Sequence, residues 1–455
     1  MLCITGMERT TAALAARLAA HPGEQLHELR LDALDEIDDG LWSLVARHGA
    51  RLVVCCRPPR DDRRQLLLRA QAAGARWVDV EEDVTDLEPF ERDRLVLSFH
   101  DHRGTGGDLT ARARAMGPRA AVVKLAITVQ DVAELQALRE ARRAIEGEAI
   151  LIGMGAAGLL SRTHYQAFGS KWTYVAAAPE LATAPGQLDV ATAKRYGMPA
   201  SSDAPFLALV GGPQITQSPG PQVYNRLFRD RALPHAYVAL VTASLARALP
   251  LLEELGAIGL SVTMPLKEEA AALAIEETEL GVANTLRRAP GGWRGTNTDV
   301  MGVREPLAAA GATGRALILG AGGAARAAWQ ACAELGLEPT IAARSPARAT
   351  FAASVVPWEA RAQGGPDLLI NATPIGGDET PWPPGAAMPP LVFDLAIGQP
   401  IGQPIGRHSR LLDEARSQGS ATLDAMDMWV HQGAAQLRFL LGADVAAGEL
   451  RERLP

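Results

Sequence analysis

Two side chains in the first 190 residues are suited to covalent and acid–base chemistry. Lys124 lies inside the apolar run VVKLAI, where surroundings poor in water favour the neutral amine. A neutral lysine amine attacks ketones to form a Schiff base, an electron sink that eases removal of a neighbouring proton. His100 ends the run LSFH and is suited to general acid–base catalysis. Residue types alone leave two alternatives open, a buried lysine paired with a carboxylate and a structural histidine.

A second set of reactive residues lies between positions 261 and 325. Lys267 ends SVTMPLK and Asp299 ends GTNTD, and a lysine and an aspartate that lie close together can deliver a proton to a carbonyl oxygen as hydride arrives. The segment GAGGAA (320–325) follows the apolar run ALIL and opens a helical pattern. Glycines in this context allow a tight turn and place a pyrophosphate on the helix N-terminus, which predicts a dinucleotide site.

The strand after this turn indicates which dinucleotide binds. An NAD site places an acidic residue about 20 residues further on, where it meets the ribose 2′-hydroxyl. This chain instead has Arg344, Ser345 and Arg348 there. Guanidinium groups suit a 2′-phosphate, so we predict NADP. The alternative is a pair of exposed arginines at the start of a helix.

The elements that must position the first set alternate between strands and helices. Near-continuous apolar runs separated by helical patterns indicate a parallel sheet buried on both faces. Eight such units predict an α/β fold of the (β/α)₈ TIM-barrel type, whose working residues lie at the carboxyl ends of the strands. An open three-layer sheet is the alternative. The runs are at residues 2–5, 27–31, 51–56, 77–81, 94–99, 121–127, 150–155 and 172–178.

Beyond a Pro/Ser-rich linker at 198–206, the pattern predicts two further lobes. The predicted domains are a barrel at 1–197, an α/β substrate lobe at 204–300 and a Rossmann lobe at 301–425. Two long helical patterns follow, near 408–418 and 426–441, and the helix at 426–445 is predicted to return to the substrate lobe. The tandem repeat IGQPIGQPIG (397–406) is interpreted as a tolerant surface loop.

Composition excludes several classes of function. The 455 residues are 47% hydrophobic and 21% charged, as is ordinary for a soluble globular protein, and the net charge of -7 argues against a nucleic-acid partner. The four cysteines have neither zinc-ligand nor disulfide spacing, and no signal-peptide layout or apolar span is present. We therefore expect a cytoplasmic protein with small-molecule substrates, no metal and no membrane association, as a monomer or small homo-oligomer.

The ordered motifs of the barrel half resemble those of type I 3-dehydroquinate dehydratases. The matching segments are HELRLD (27–32), VVCCR (53–57), DVE (79–81), LSFHD (97–101), VVKLA (122–126), LLSR (159–162) and TAPGQ (183–187). The resemblance implies that Lys124 forms an imine with the C3 ketone and that His100 removes the C2 proton and helps to expel the C1 hydroxyl. It implies substrate-binding roles for Glu28, Arg30, Arg57, Arg162, Thr183 and Gln187.

Two departures from that family pattern affect the barrel. A Glu-Gly-Gly segment usually follows the arginine that matches Arg57 and orients the histidine, whereas this chain reads RPPRDDRR. Asp61 and Asp62 are the nearby carboxylates, which predicts a less well oriented His100 and slower dehydration. Thr183 replaces a serine and keeps the hydroxyl, so we expect little effect.

Residues 205–445 resemble shikimate dehydrogenases, through SVTMPLK, GVANT (281–285), GTNTD, INATPIG (370–376) and MDMWVHQGA (426–434). The resemblance implies that Lys267 and Asp299 are the catalytic pair. The implied substrate residues are Thr216, Ser218, Thr263, Asn284 and Gln432. The implied cofactor residues are Gly320, Ala321, Gly322, Gly323, Ala324, Arg344, Ser345, Arg348, Thr373 and Met428.

The departures from this second pattern lie at the substrate end. Thr216 adds a methyl group where the family has serine, which should penalise bulkier quinate-type ligands. Ser261 replaces an asparagine, Tyr224 replaces a histidine, and Ile397 lies about where a tyrosine is common. These changes leave the choice between shikimate and quinate open.

The two resemblances name consecutive steps of the shikimate pathway. We therefore predict a bifunctional enzyme that dehydrates 3-dehydroquinate and then reduces 3-dehydroshikimate with NADPH. One alternative is a shikimate/quinate-type NADP dehydrogenase with an inactive barrel. A metabolite sensor that keeps both folds is another, but it would have lost catalytic residues that are present here.

Overall fold

A computed structural model describes residues 1–454 except 24, 105–106, 199, 201, 277, 279–280 and 397–408. The repeat at 397–406 and Ile397 therefore lie outside the described residues. The chain forms two compact units, Met1–Thr216 with Phe228–Ala257, and Gln217–Leu227 with Ile258–Pro455. These units do not coincide with the predicted domain bounds, which stay a prediction.

The first unit contains eight parallel strands that form a nearly closed barrel. Their order is β7-β6-β5-β4-β3-β2-β1-β8. Between β7 and β8 the described pairing is one bridge, Ala149 to Ser170, next to a hydrogen bond of 2.8 Å from the Lys171 amide to the Ala149 carbonyl. The predicted (β/α)₈ architecture is confirmed. The strands are Leu2–Thr5 (β1), Leu26–Arg30 (β2), Leu52–Cys55 (β3), Trp77–Glu81 (β4), Leu95–Asp101 (β5), Val122–Thr128 (β6), Glu148–Met154 (β7) and Thr173–Ala176 (β8).

Short helices surround these strands, as a barrel of fewer than 200 residues requires. They are Thr11–Ala20 (α1), Asp39–His48 (α2), Arg63–Ala72 (α3), Leu109–Met116 (α4), Gln136–Arg143 (α5), Leu159–Thr163 (α6) and Val190–Arg195 (α7). Side chains of Thr10, Asp38, Asp108 and Asp189 accept hydrogen bonds from the first turns of four of them. Such caps satisfy amides that a helix start leaves unpaired. A 3₁₀ turn at Arg92–Arg94 replaces the helix after β4.

The first unit continues past the barrel into two parallel strands and a helix. Phe206–Gly211 (β9) pairs with Ala236–Val241 (β10), and Leu245–Glu254 (α9) follows. The buried carboxylate of Asp131 accepts hydrogen bonds from the Thr242 hydroxyl at 3.0 Å and the Ala243 amide at 2.8 Å. Glu254 accepts from Arg139 and Arg143 at 2.8 Å. These contacts join barrel helix α5 and its preceding loop to the segment beyond the linker.

The second unit begins with antiparallel strands and three helices, two of which start at reactive residues. These elements are Ala257–Val262 (β11), Thr285–Ala289 (β12) and Gly292–Thr296 (β13), with Gly220–Asp230 (α8), Lys267–Leu273 (α10) and Asp299–Ala309 (α11). Strand β12 pairs antiparallel with both β11 and β13. The residues Lys267 and Asp299 thus open α10 and α11.

A six-stranded parallel sheet follows in the order β16-β15-β14-β17-β18-β19. This is the doubly wound Rossmann order, whose ligands bind where the strand order reverses, here between β14 and β17. Its strands are Arg315–Leu319 (β14), Glu338–Ala343 (β15), Val355–Pro357 (β16), Leu368–Asn371 (β17), Leu391–Asp394 (β18) and Ala421–Leu423 (β19). Its helices are Gly323–Glu334 (α12) and Arg410–Ser417 (α13).

Two C-terminal helices, Ala425–Leu441 (α14) and Ala447–Arg451 (α15), complete the second unit. A capping box at Asp424 starts α14, which packs along α11. The approach is close because Gly302 has no side chain: a Cβ there would lie 2.9 Å from the Gln432 Cβ. No helix among the described residues is long and apolar enough to cross a membrane.

Candidate active sites

The carboxyl ends of the barrel strands surround a cavity of about 590 Å³. The eight residues that the sequence predicts for the barrel site all line this cavity, although they come from six segments of the chain. They are Glu28, Arg30, Arg57, His100, Lys124, Arg162, Thr183 and Gln187. The barrel topology therefore brings the predicted set together.

Lys124 lies on β6 with only 4% of its surface exposed. Its Nζ donates a hydrogen bond of 2.9 Å to Asp79 Oδ2 and lies 4.4 Å from the centre of the Tyr174 ring. Of the alternatives that the sequence left open for Lys124, the pairing of a buried lysine with a carboxylate is therefore present. The sequence signal for this carboxylate was the DVE segment on β4.

Asp79 is completely buried at the centre of this network. It accepts hydrogen bonds from Ser98 Oγ at 2.6 Å and Arg57 Nη2 at 2.9 Å, in addition to Lys124. Burial alone would raise the pKa of Asp79, but the charges of Arg57 and Lys124 outweigh burial and hold the pKa well below its ordinary value. The carboxylate therefore stays ionised at any pH at which the protein works.

Glu81 supplies the carboxylate that the sequence analysis expected from Asp61 or Asp62. Its Oε1 lies 2.8 Å from His100 Nδ1, and it also pairs with Arg57. Asp62 pairs instead with Arg60 at 2.8 Å. A carboxylate therefore lies next to His100 without the Glu-Gly-Gly segment, and slower dehydration stays a prediction. The carboxyl end of β4 lies beside β5, so the order of the strands could have pointed to Glu81.

His100 has the properties of a neutral base. Burial, followed by the charge of Arg57, lowers the pKa of His100 to about 4, although Glu81 acts in the opposite direction. Its imidazole is consequently unprotonated at neutral pH. With Nδ1 against Glu81, the other ring nitrogen remains available for proton transfer.

Arg162 and Gln187 differ in how the protein holds them. Gln187 Oε1 accepts from the Thr183 amide at 2.7 Å, and Nε2 donates to Thr5 at 3.0 Å. Arg162 is 2% exposed, yet its Nε and Nη2 have no partner among the described residues, and burial lowers its pKa to about 10. An unpaired buried cation is costly, so this guanidinium is suited to an anionic ligand in the cavity.

Arg30, by contrast, is already paired. Its Nε and Nη2 donate to the two oxygens of Asp32 at 3.0 and 2.6 Å. Asp32 also accepts from the Arg57 amide at 3.0 Å, which links the ends of β2 and β3. The cavity therefore combines preoriented cations with Arg162, whose Nε and Nη2 are unpaired in the part of the chain that the structure describes.

The second candidate site is centred on Lys267, whose Nζ donates to Asp299 Oδ2. Asn284 Nδ2 donates to the other oxygen, Oδ1, at 2.8 Å. The side-chain oxygen Oδ1 of Asn284 accepts from the Thr298 amide and the Thr285 hydroxyl, both at 2.8 Å. These bonds fix the carboxylate beside the amine, so a proton can pass between the lysine and a bound carbonyl oxygen.

The glycine-rich turn lies beside this pair. Gly320 has φ +109°, and a Cβ there would lie 2.9 Å from the Ala372 carbonyl, so the position requires glycine. Gly322 precedes α12 without any side-chain cap, which leaves the helix amides open to an anion. A Cβ on Gly323 would lie 3.9 Å from Lys267 Cδ. Ala321 and Ala324 pack against the Rossmann core.

Arg344, Ser345 and Arg348 follow β15, next to the turn in strand order. All three are exposed, and neither guanidinium pairs with a described residue. Thr373 follows β17, where its amide and hydroxyl donate to Asn371 Oδ1 at 3.1 and 2.7 Å. The open helix start and unpaired cations fit a dinucleotide with an additional phosphate.

Comparison with known proteins identifies both halves. Residues 1–196 match the model of type I 3-dehydroquinase, and residues 210–286 match that of the shikimate dehydrogenase substrate binding domain. The shikimate dehydrogenase (NADP(+)) of Synechocystis sp. is 35% identical over 278 residues, covering 55% of this chain and 94% of that protein. The chain belongs to the shikimate dehydrogenase family, with a type I 3-dehydroquinase domain at residues 1–196.

Two further relatives span both halves. The bifunctional 3-dehydroquinate dehydratase/shikimate dehydrogenase of Arabidopsis thaliana is 27% identical over 484 residues, covering 92% of this chain and 78% of that protein. A solved dehydroquinate dehydratase and shikimate dehydrogenase from S. pombe aligns with 100% of this chain and 98% of that chain, at 20% identity and a TM-score of 0.46.

The remaining residues assigned to the shikimate dehydrogenase half make mainly local contacts. Thr216 donates to the Pro213 carbonyl at 3.0 Å, and Ser218 accepts from the Gly220 amide at 3.2 Å. The Thr263 carbonyl accepts from the Leu266 amide at 3.0 Å. Met428 and Gln432 both lie on α14 against Gly302 of α11. The Gln432 amide donates to its own helix at Trp429, 3.1 Å away, and does not bond to Lys267 or Asp299.

Two departures from the shikimate dehydrogenase pattern have a packing explanation. Ser261 donates to Gln436 Oε1 at 2.9 Å, and the Tyr224 hydroxyl lies 3.4 Å from the same oxygen. The Tyr224 ring also packs against Trp429 at 5.7 Å. Both substituted residues therefore contact helix α14.

Proposed function

We propose that this chain catalyses two successive reactions, the dehydration of 3-dehydroquinate in the barrel and the NADPH-dependent reduction of 3-dehydroshikimate to shikimate in the second unit. The name of the Arabidopsis relative supports the pair of activities. The observation that carries the first activity is the buried Lys124 amine in a cavity with the neutral base His100 and with Arg162, which has buried nitrogens without a partner among the described residues.

In the barrel, Lys124 attacks the C3 ketone, and the resulting imine acidifies the neighbouring C2 proton. His100, held by Glu81, removes that proton and then protonates the departing C1 hydroxyl, which leaves as water. Hydrolysis of the imine releases the product and the amine. The anionic end of the substrate meets Arg162 and Gln187. Its hydroxyls meet Glu28, Arg30 and Arg57, and Thr183 holds Gln187 in place.

In the second unit, Lys267 and Asp299 provide the proton for the carbonyl oxygen of 3-dehydroshikimate. Asn284 orients Asp299, and Thr216, Ser218, Thr263 and Gln432 are proposed as further substrate residues. When bound, NADPH supplies the hydride. The turn Gly320–Ala324 would hold its pyrophosphate and Arg344, Ser345 and Arg348 its 2′-phosphate, with Thr373 and Met428 nearby.

The proposal extends to cellular context. We place the enzyme in the cytoplasm, as a monomer or small homo-oligomer with small-molecule substrates only. Support comes from the four cysteines, which are all free and buried. Burial raises the pKa of Cys56 to about 11 and that of Cys332 to about 12, so these thiols are unreactive.

Borohydride reduction in the presence of 3-dehydroquinate, followed by mass spectrometry, tests the barrel reaction. An adduct on Lys124 that is lost in Lys124→Ala supports the proposal. Lys267→Ala is the matched control, because it should keep the adduct and lose NADPH oxidation with 3-dehydroshikimate. Folded protein without an adduct, but with intact NADPH oxidation, would mean a dehydrogenase with an inactive barrel.

A further inference from the structure

Asp79 does not line the cavity, although it contacts two residues that do. The Lys124 amine and the Arg57 guanidinium bond to the same oxygen, Oδ2, each at 2.9 Å. Ser98 occupies the other oxygen at 2.6 Å. A fully buried carboxylate with this set of donors cannot rotate away from Lys124 without breaking three hydrogen bonds.

The charge at Lys124 is the same before and after a Schiff base forms. An ammonium and a ketone give a protonated imine and water, R–NH₃⁺ + O=CR₂ → R–NH⁺=CR₂ + H₂O. One proton leaves the nitrogen first, and its lone pair then forms the C–N bond. The C–O bond breaks, and two of the three ammonium protons leave with the oxygen. A single fixed negative charge therefore stabilises both the resting and the covalent state.

We propose that Asp79 is a positioning residue that pairs with the cation at Lys124 in both states and separates it from Arg57. The inference rests on the proposed dehydratase function. Without Asp79, two buried cations would face each other, and the protonated imine would lose its counter-ion.

Among the described residues, neither of the other two carboxylates near Asp79 forms a hydrogen bond with Lys124. Glu81 is engaged by Arg57 and His100. Glu28 is the remaining acid near the network, while the histidine, tyrosine and thiols there are neutral at pH 7. The groups that face Asp79 from the surrounding strands are Cys3, Glu28, Cys55, Arg57, His100, Lys124 and Tyr174, with Glu81 on its own strand.

The first experiment measures the borohydride-trapped adduct with 3-dehydroquinate between pH 5 and 9 in Asp79→Asn. We expect at least a tenfold loss of adduct at pH 7 with unchanged NADPH oxidation in the second unit. Asp131→Asn is the matched control, because it also removes a buried carboxylate charge in the same unit and should keep the adduct. Wild-type adduct levels and pH dependence in Asp79→Asn would overturn the proposal.

A second experiment needs no substrate, so it separates failure of this inference from failure of the proposed function. Acetic anhydride is small enough to enter the cavity, and the rate of its reaction at pH 7 reports how reactive the Lys124 amine is. In Asp79→Asn, which removes the hydrogen-bond acceptor of this amine, the labelling rate of Lys124 should rise at least tenfold. In Arg57→Gln, which leaves Asp79 to Lys124 and Ser98, the rate should fall, and this provides a test if Asp79→Asn does not fold. An unchanged labelling rate in the folded variant would overturn the inference.

Discussion

Arg162 shows at the level of one residue how a binding site can reduce stability. Its guanidinium is buried and unpaired among the described residues, so its desolvation is uncompensated until an anion enters the cavity. This arrangement favours tight binding of a carboxylate but lowers the stability of the folded protein when no ligand is bound.

Arg162→Met should therefore have opposite effects on stability and binding. We expect the free energy of unfolding to rise by about 1 kcal/mol, since a buried charge gives way to an apolar side chain of similar length. The KM for 3-dehydroquinate should rise at least a hundredfold. Urea unfolding and steady-state kinetics measure the two quantities. A variant that is less stable and binds normally would show that Arg162 has a structural role.

Glu81→Gln tests the carboxylate that contacts His100. Because Glu81 raises the pKa of His100 against the effect of burial, its removal should lower that pKa further below about 4. The acid limb of the dehydratase pH profile should then move to lower pH, while kcat falls roughly ten- to a hundredfold as orientation is lost. Kinetics between pH 4 and 8 check both effects. Asp62→Asn is the control, and a comparable loss there would restore the interpretation drawn from sequence.

The barrel site also shows how much could be predicted from the sequence. Lys124 and His100 could be identified because their residue types suggested this chemistry and the resemblance to type I 3-dehydroquinate dehydratases assigned it to them. The roles of Asp79 and Glu81 were missed, because their partners lie on β5, β6 and the end of β3, and only the strand order brings those elements together. Position in the sequence pointed instead to Asp61 and Asp62, because they follow Arg57 where the family has its Glu-Gly-Gly segment.

At the level of elements, the β14–α12 turn depends on one backbone conformation. Gly320→Ala would force a side chain into φ +109° and within 2.9 Å of the Ala372 carbonyl. We expect at least a tenfold weaker NADPH affinity, measured by fluorescence titration, with dehydratase activity unchanged. Gly336→Ala is the matched control, because Gly336 also has a positive φ (+72°) but open space around it. This variant should bind NADPH normally. Equal loss in both variants would indicate general backbone strain.

The apolar periodicity predicted all eight barrel strands because each strand is buried on both faces and reads as a continuous run. It did not show that β4 lacks a following helix, since the 3₁₀ turn at Arg92–Arg94 has no periodic signature. The periodicity also could not explain why Tyr224 and Ser261 depart from the family pattern. Their partner Gln436 lies on α14, more than 170 residues further along the chain.

At the level of the whole molecule, buried histidines make stability depend on pH. Burial lowers the pKa of His27 and of His164 to about 3, and that of His100 to about 4. The unfolded chain binds these protons near pH 6.5, whereas the folded chain does not. The contribution of these three neutral histidines to stability is therefore fully present above pH 6.5. It is lost progressively as the pH falls toward 4 and then 3.

Urea midpoints at pH 7, 5.5 and 4.5 should thus decrease steadily in the wild type. His164→Phe removes one of the three sites and should flatten this dependence by up to about 1.4 kcal/mol for each pH unit below 6.5. His431→Gln is the comparison, since that histidine is only half-buried. An identical slope in His164→Phe and the wild type would contradict the account.

The contacts of Asp131 have a consequence for how the two enzymes can be divided. A gene cut at the linker, residues 198–206, would produce a barrel whose buried aspartate had lost the Thr242 hydroxyl and the Ala243 amide. Arg139 and Arg143 would likewise face solvent without Glu254. The segment that follows the linker covers part of the barrel surface. Separation into independent genes would therefore require compensating substitutions at α5 and at the loop that precedes it.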